Sequence, residues 1–347
     1  MNKYSRNNNK SIAVLLPARN AEEYLREAIE SILSQTFENF QLIVVDDAST
    51  DSTWSIIKRF NDSRIMRIKL AESKGIVNAL NVALRASDSE FVARIDADDI
   101  ARNDRFEKQV EFLRSHPEVG VCGSSIKMIR GGHSCYVRYP ECHNEIVSSL
   151  MVYKRSICHP TVMMRRSVLN LHQLQYTDNY RHAEDLFLWH ELAHKTKFHN
   201  LREPLLAYRV HTEQVSSRFK EEQTIQTRAL LMRSLPNYLP SLCSHTRQDL
   251  LNLVIFEADK KGDQINLPSL YARMNAINRA DNLAAPAIFN EALLCKFLET
   301  VFKRNLGLRN TLFVVLTVLC KKPKLLINDL GRALMHIRVY LNSNWAK

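Results

Sequence analysis

The chain has 347 residues, 45% hydrophobic and 24% charged, a length that favours two domains or one large domain with an appendage, and a composition that excludes disordered and fibrous classes. Its seven cysteines include no CxxC pair and no histidine at zinc spacing, which argues against a disulfide framework or structural zinc and for reduced thiols in the cytoplasm. The net charge of +11 keeps nucleic acid and an anionic membrane surface open as partners until its placement is known.

Residues 1–10 are polar and Asn-rich without an apolar stretch, and read as a frayed tail rather than a secretory signal. Short apolar runs then alternate with helical patterns, the mark of βαβ units whose parallel sheet is buried on both faces. In chain order the predicted elements are a strand at Ile12–Leu16 and a helix at Ala21–Gln35, with Leu25, Ala28, Ile29, Ile32 and Leu33 at helical spacing. A strand at Gln41–Val45 closes on Asp46-Asp47, and Ser49, Thr50, Asp51 and Ser52 offer N-caps for a helix running to Phe60. There follow a strand at Ile65–Leu70, a helix at Gly75–Ala86, a strand at Phe91–Ile95 and a helix at Asn103–Ser115. Less regular strands at Val119–Cys122, Thr161–Met164 and Leu205–Val210 and a helix near Glu184–His194 complete a domain over 11–218.

From Phe219 the pattern is helical, with proline breaks at Pro236, Pro240, Pro268 and Pro286, so 219–347 is expected to form a helical C-terminal region. The apolar stretch Thr311–Cys320 lies between Arg309 and Lys321-Lys322 and is too short to cross about 30 Å of hydrocarbon as a helix. Between Lys303 and Lys347 nine Lys and Arg face Asp329 alone. Such basic, apolar-rich helices suit an anionic membrane surface, with a solvated helical face as the alternative.

The tetrad Asp96-Ala97-Asp98-Asp99 ends an apolar strand with three carboxylates. They repel one another unless a cation lies between them, and an oxygen-only set suits Mg²⁺ or Mn²⁺. The competing reading is an acidic turn that caps the next helix, kept here for Asp99 alone, the member nearest that helix. Open α/β sheets bind ligands beyond the carboxyl ends of their strands. Pro17-Ala18-Arg19-Asn20, Asp46-Asp47 and the tetrad all fall there. Neither GxGxxG after a strand nor GxxxxGK[ST] is present, so a nucleotide must be held without those loops.

These residues resemble the inverting family 2 glycosyltransferases, whose catalytic domain has the Rossmann-like GT-A fold. The likeness rests on Ser11 to Asn20, Ser31-Ile32-Leu33-Ser34-Gln35-Thr36, Val44 to Asp51, Lys74-Gly75, Asn81 and Ala93 to Asp99. It continues through His159-Pro160-Thr161, Ala183-Glu184-Asp185 with Trp189, and Tyr208-Arg209-Val210-His211. The resemblance implies that Asp47, beside Asp46, binds the nucleotide base and that Pro17, Arg19 and Asn20 line its pocket with Gly75 nearby. Asp96, Asp98 and Asp99 then resemble the DxD element, one or two of them holding Mn²⁺ or Mg²⁺ against the diphosphate and another touching ribose or sugar.

The resemblance places the general base at Glu184-Asp185, with Asp185 preferred and Glu184 next, because relatives often carry an Asp two residues on where this chain has Phe187. His211 becomes a candidate third metal ligand and Arg209 a diphosphate clamp. Arg94 either neutralises a carboxylate or contacts the nucleotide, and His159 belongs near the acceptor side or to the framework.

The implied protein is α/β, a GT-A domain with a mostly parallel sheet and a C-terminal helical appendage. It moves a hexosyl or N-acetylhexosaminyl group from a nucleoside-diphosphate donor, UDP-sugar first among them, to a glycan or lipid-linked acceptor for cell-surface polysaccharide. The expected place is the cytoplasm, peripheral on the inner membrane face. A sugar nucleotidyltransferase is the competing enzyme, disfavoured by the absence of glycine in Pro17 to Ala21. A basic nucleic-acid-binding protein is suggested by charge alone and lacks aromatic-basic interleaving, so nucleic acid is not an expected partner.

Overall fold

The computed structural model describes residues 10–152, 156–212, 214 and 218–241, with single positions at 243, 244, 246, 273, 276 and 277. The described residues fall into two compact units, 10–147 with 156–227 and 148–152 with those from 228 onward. The basic segment after Lys303, Pro268 and Pro286 lie outside the described residues.

The first unit is built on a nine-stranded sheet. The strands are β1 (Ile12–Ala18), β2 (Phe40–Asp46), β3 (Ile65–Lys69), β4 (Phe91–Arg94), β5 (Ile100–Ala101), β6 (Val119–Arg130), β7 (His133–Val137), β8 (Met163–Arg165) and β9 (Lys197–Arg209). Their order is β3-β2-β1-β4-β8-β6-β9-β5, with β7 paired to β6. The half β3-β2-β1-β4 is wholly parallel. β8 runs antiparallel between β4 and β6, and β9 is parallel to β6.

Every residue of β1, β2 and β4 is buried, as expected of strands covered on both faces. The covering helices include α1 (Leu25–Leu33), α2 (Thr53–Arg59), α3 (Gly75–Arg85) and α4 (Arg105–Ser115). Leu25, Ala28, Ile29 and Ile32 form the buried stripe of α1, and the rings of Phe40 on β2 and Phe106 on α4 meet edge to face at 5.6 Å. Beyond them come α5 (His143–Met151), α6 (Arg166–Leu171), α7 (Glu184–Leu192) and α8 (Lys220–Tyr238), and single 3₁₀ turns at His159–Thr161 and Asp178–Tyr180.

Several expected elements are corrected. Helix α1 starts at Leu25, not Ala21, because the preceding loop is tied to the loop after β2. None of Ser49 to Ser52 caps α2 as an N-cap side chain; Asp51, one residue before the cap, accepts from Thr53 N–H at 2.9 Å instead. Thr161 belongs to a 3₁₀ turn, and its strand begins at Met163. Pro236 lies inside α8, which ends two residues later at Tyr238, so the missing N–H terminates the helix only after a delay. The second unit's described residues are mainly the end of α8, with Leu230, Leu231, Leu235 and Leu239 buried.

The strand order places a topological switch between β1 and its neighbours β2 and β4, the place where open α/β sheets bind ligands beyond the carboxyl ends of their strands. The two-residue β5 pairs Ile100 with Ala207 and Ala101 with Leu206, carrying the end of β9 to the tetrad.

Candidate active site

Two loops form the first wall. Asn20 and Ala48 both take left-handed backbone, with φ of 48° and 53°, and the loops they kink are laced together. Asn20 N–H donates to Ser49 Oγ at 3.0 Å and Thr50 N–H to Asn20 Oδ1 at 2.9 Å. Ala21 N–H donates to Thr53 Oγ1, Glu22 N–H donates to Asp51 Oδ2, and Ser52 N–H donates back to Glu22 Oε2. The side-chain Oδ1 of Asn20 is therefore engaged within the protein, while Arg19 is exposed.

Asp47 is almost fully buried, and its carboxylate accepts three bonds: Lys74 N–H at 2.9 Å, Gly75 N–H at 3.0 Å and Ser73 O–H at 2.7 Å. Gly75 has φ of +83°, the left-handed conformation that glycine adopts without strain. A carboxylate offers about four acceptor positions, so one remains on Asp47. Asp46 is wholly buried, with Oδ1 accepting Ser49 N–H and Oδ2 without a partner.

The tetrad is the second wall. Arg94, buried at the end of β4, donates to both oxygens of Asp96, Nη1 to Oδ2 at 2.7 Å. Both terminal nitrogens are thus used on a carboxylate. Burial still pushes Asp96 up to about 6 against the pull of Arg94, with Asp98 adding to the rise. Asp99 is held well above the usual carboxylate range by burial, then by Asp96 and Asp98. It caps no helix: α4 starts only at Arg105, and Asp99 Oδ1 accepts from Arg209 N–H at 3.0 Å, across the bridge that β5 makes with β9.

The third wall brings Arg209, His211, Glu184 and Asp185. His211 Nε2–H donates to Asp98 Oδ2 at 2.9 Å, and its ring leans on Tyr24 with centroids 5.2 Å apart. The Arg209 guanidinium lies 4.7 Å over the same ring and pairs with Glu27. At the start of α7, Glu184 is buried with Oε2 unpartnered, whereas Asp185 is part exposed with Oδ1 accepting from Leu186 N–H at 2.7 Å. Burial raises both, Glu184 to about 7 with Asp185 adding to it. The charges of Asp185 and Asp96 bear on one another, as do those of Glu184 and Asp96, so the acids of α7 face the tetrad.

The tetrad fits a divalent cation. Asp96, Asp98 and Asp99 each offer an oxygen within 4.8 Å of the others, the buried Oδ2 of Asp99 has no partner, and an imidazole nitrogen adjoins. Carboxylate oxygens with one histidine suit Mn²⁺ or Mg²⁺. Several neighbours escaped sequence reasoning. Tyr24 and Glu27 were indistinguishable from an exposed helix face. Arg105, fully buried with Nη2 donating to Arg94 C=O at 2.8 Å and burial lowering it to about 9, looked like one more surface cation.

Residues 13–171 match the profile of Glycosyl transferase family 2. An uncharacterized glycosyltransferase of Haemophilus influenzae is 32% identical over 240 residues, spanning 66% of this chain and 74% of the relative. The chain belongs to glycosyl transferase family 2.

As a member it is an enzyme that transfers sugars, which decides between the two enzyme readings of its sequence. A second relative is the E. coli protein WfaP, a UDP-Glc:alpha-D-GlcNAc-diphosphoundecaprenol beta-1,3-glucosyltransferase, 29% identical over 220 residues covering 60% of this chain and 82% of that one. Among solved structures, residues 1–349 of S. aureus TarS in complex with UDP-GlcNAc superpose with a TM-score of 0.57 at 19% identity, covering 88% of this chain and 90% of that one. That likeness shows the GT-A fold. This family 2 glycosyltransferase carries Asp46-Asp47 and the tetrad at and just beyond the carboxyl ends of β2 and β4. Among the described residues no helix is long and apolar enough to cross a membrane.

Proposed function

We propose that the protein is a metal-dependent inverting glycosyltransferase that moves a sugar from a UDP-sugar to a hydroxyl of a glycan or lipid-linked acceptor in cell-surface polysaccharide synthesis. The observation that carries this reading is the tetrad, whose three carboxylates offer oxygens within 4.8 Å of one another with the buried Oδ2 of Asp99 unpartnered, in electrostatic reach of the acids of α7.

The uracil ring N–H binds the remaining acceptor position of Asp47, a contact that discriminates bases because the ring must present a donor there. The loops of Asn20 and Ala48 hold the pocket open, Pro17 and Arg19 line it, and Gly75 fixes the Asp47 carboxylate. Asp98 and Asp99, with His211 and Asp96 beside them, would hold Mn²⁺ or Mg²⁺, which when bound would neutralise charge on the departing diphosphate. Arg209 adds a cation beside that diphosphate.

Asp185 takes the proton of the attacking acceptor hydroxyl. One of its oxygens is fixed by Leu186 N–H and the residue is part exposed, whereas Glu184 is buried and retains its own proton more readily. Attack on the face opposite the diphosphate inverts the anomeric carbon. A catalytic domain over 11–218 and peripheral attachment at the inner membrane face through the basic segment after Lys303 complete the proposal; WfaP's named diphosphoundecaprenol acceptor supports the latter.

Titration calorimetry with UDP, GDP and dTDP, with Mn²⁺ or with chelator, tests it. The expected result is Mn²⁺-dependent UDP binding lost in Asp98→Ala and retained in Asp185→Ala. UDP binding of equal strength in chelator would sink the metal assignment.

A further inference from the structure

The Tyr176–His159 pair is a buried polar pair that the proposed chemistry leaves unused. Tyr176 is 2% exposed, and its phenol oxygen is 2.9 Å from Nε2 of His159, itself 8% exposed. Asn81 of α3 clamps the Tyr176 backbone from both sides: its Nδ2 donates to Tyr176 C=O at 2.9 Å, and Tyr176 N–H donates to its Oδ1 at 3.1 Å. The His159 ring meets Trp189 edge-on at 5.7 Å, and Trp189 shares α7 with Glu184 and Asp185. Tyr176 feels the charges of Arg94, Asp185, Glu184 and Asp96, and His159 that of Arg94. The turn that carries His159 is tied to the end of β4, where Arg94 N–H donates to Val162 C=O and Val162 N–H to His159 C=O, and the ring of His159 meets α7 at Trp189.

The hydrogen shared by this pair can be assigned. Burial pushes the phenol well above the usual tyrosine range and holds His159 well below the usual histidine range, so both groups are neutral. Of a neutral phenol and a neutral imidazole, the phenol is the stronger acid and the imidazole nitrogen the stronger base, so Tyr176 O–H donates to Nε2. A neutral imidazole bears one hydrogen, and it then sits on Nδ1. Among the described residues that N–H has no hydrogen-bond partner. An unused donor is an unmet hydrogen bond that a hydroxyl can satisfy.

We propose that His159 donates its Nδ1–H to a hydroxyl of the sugar being transferred, and that Tyr176, held by Asn81, is the positioning residue that fixes this tautomer. The proposal deepens the UDP-sugar reading and rests on it. The Tyr176 backbone clamp explains why a tyrosine on an irregular loop can hold its oxygen in one place.

The experiment uses the full chain with Mn²⁺, UDP and whichever of UDP-glucose, UDP-galactose or UDP-N-acetylglucosamine the wild type hydrolyses or transfers. The readout is the affinity for the UDP-sugar relative to UDP. Tyr176→Phe should weaken the UDP-sugar by about tenfold, the scale of one hydrogen bond, and leave UDP unchanged. His159→Asn places an amide N–H near the Nδ1 position and cannot tautomerise, so it should retain most of the sugar affinity, and adding Tyr176→Phe to it should cost nothing more. His159→Gln, whose amide reaches towards Nε2 instead, should lose the sugar contribution.

Tyr176→Phe weakening UDP as much as UDP-sugar, or costing the same in the His159→Asn background, would overturn the tautomer role in favour of packing. Unchanged UDP-sugar affinity in His159→Gln would overturn the contact itself. A wild type that binds no UDP fails at the donor reading, a result distinct from UDP binding with no His159 effect.

Discussion

Asp47 and Asp99 are both buried aspartates on one rim of the sheet, and their surroundings are opposite. Three protein donors converge on Asp47; Asp99 has one backbone donor, an unpartnered oxygen and two carboxylate neighbours. The first carboxylate organises a loop, and removing it leaves N–H groups unmet. The second stores repulsion that a cation relieves. Burial alone does not separate a carboxylate that the protein already satisfies from one it leaves in need of a partner, whereas counting what each buried oxygen receives does.

The comparison extends first to Asp185, which has a single local donor. Asp185→Asn should lower kcat by about 10²–10⁴-fold, the range of general-base catalysis, with the Mn²⁺-dependent Kd for UDP unchanged; a parallel loss of UDP binding would make Asp185 part of the donor site. The next effect is stabilisation by metal. Mn²⁺ at about 100 times its Kd should stabilise the wild type by about 2.7 kcal/mol in chemical denaturation, and Asp99→Asn should abolish the increment.

The contrast is sharpest in the signs of two stability changes measured in chelator. Asp47→Asn, which sets an amide donor against N–H groups, should cost about 1–3 kcal/mol, while Asp99→Asn, which removes a repelling charge, should raise Tm by about 2–4 °C. Equal losses would break the distinction. The smallest effect concerns Glu184, raised from 4.5 to about 7 by burial and then by Asp185. The folded protein binds this proton more tightly than the unfolded chain, so its contribution is fully present below 4.5 and is lost as pH rises through about 7. Tm in chelator should fall across that window less steeply in Glu184→Gln than in wild type.

The parts of this site that were legible in the sequence are those made by local pattern. Wholly apolar runs marked β1, β2 and β4, and acids at the ends of β2 and β4 marked the rim, because a strand buried on both faces has no other reason to end in charge. The stations held by distant partners were not legible. Nothing near Asp99 announces that the two-residue β5 will bring Arg209 N–H to it. Nothing near Asn81 announces Tyr176, 95 residues on. Arg105 reads as surface charge because burial of a cation is a property of its neighbours, here the carbonyls of Arg94 and Val162. The hairpin of β6 and β7 was missed because its exposed face interrupts the apolar alternation.

The lacing between the loops of Asn20 and Ala48 has a consequence for how such an enzyme changes its preference. Each loop supplies acceptors for the other's backbone, so neither can be exchanged without stranding N–H groups in its mate. A change of nucleotide specificity therefore has to travel as a matched pair of segments some thirty residues apart, and grafting one loop from a relative should yield a less stable protein rather than one with a new donor.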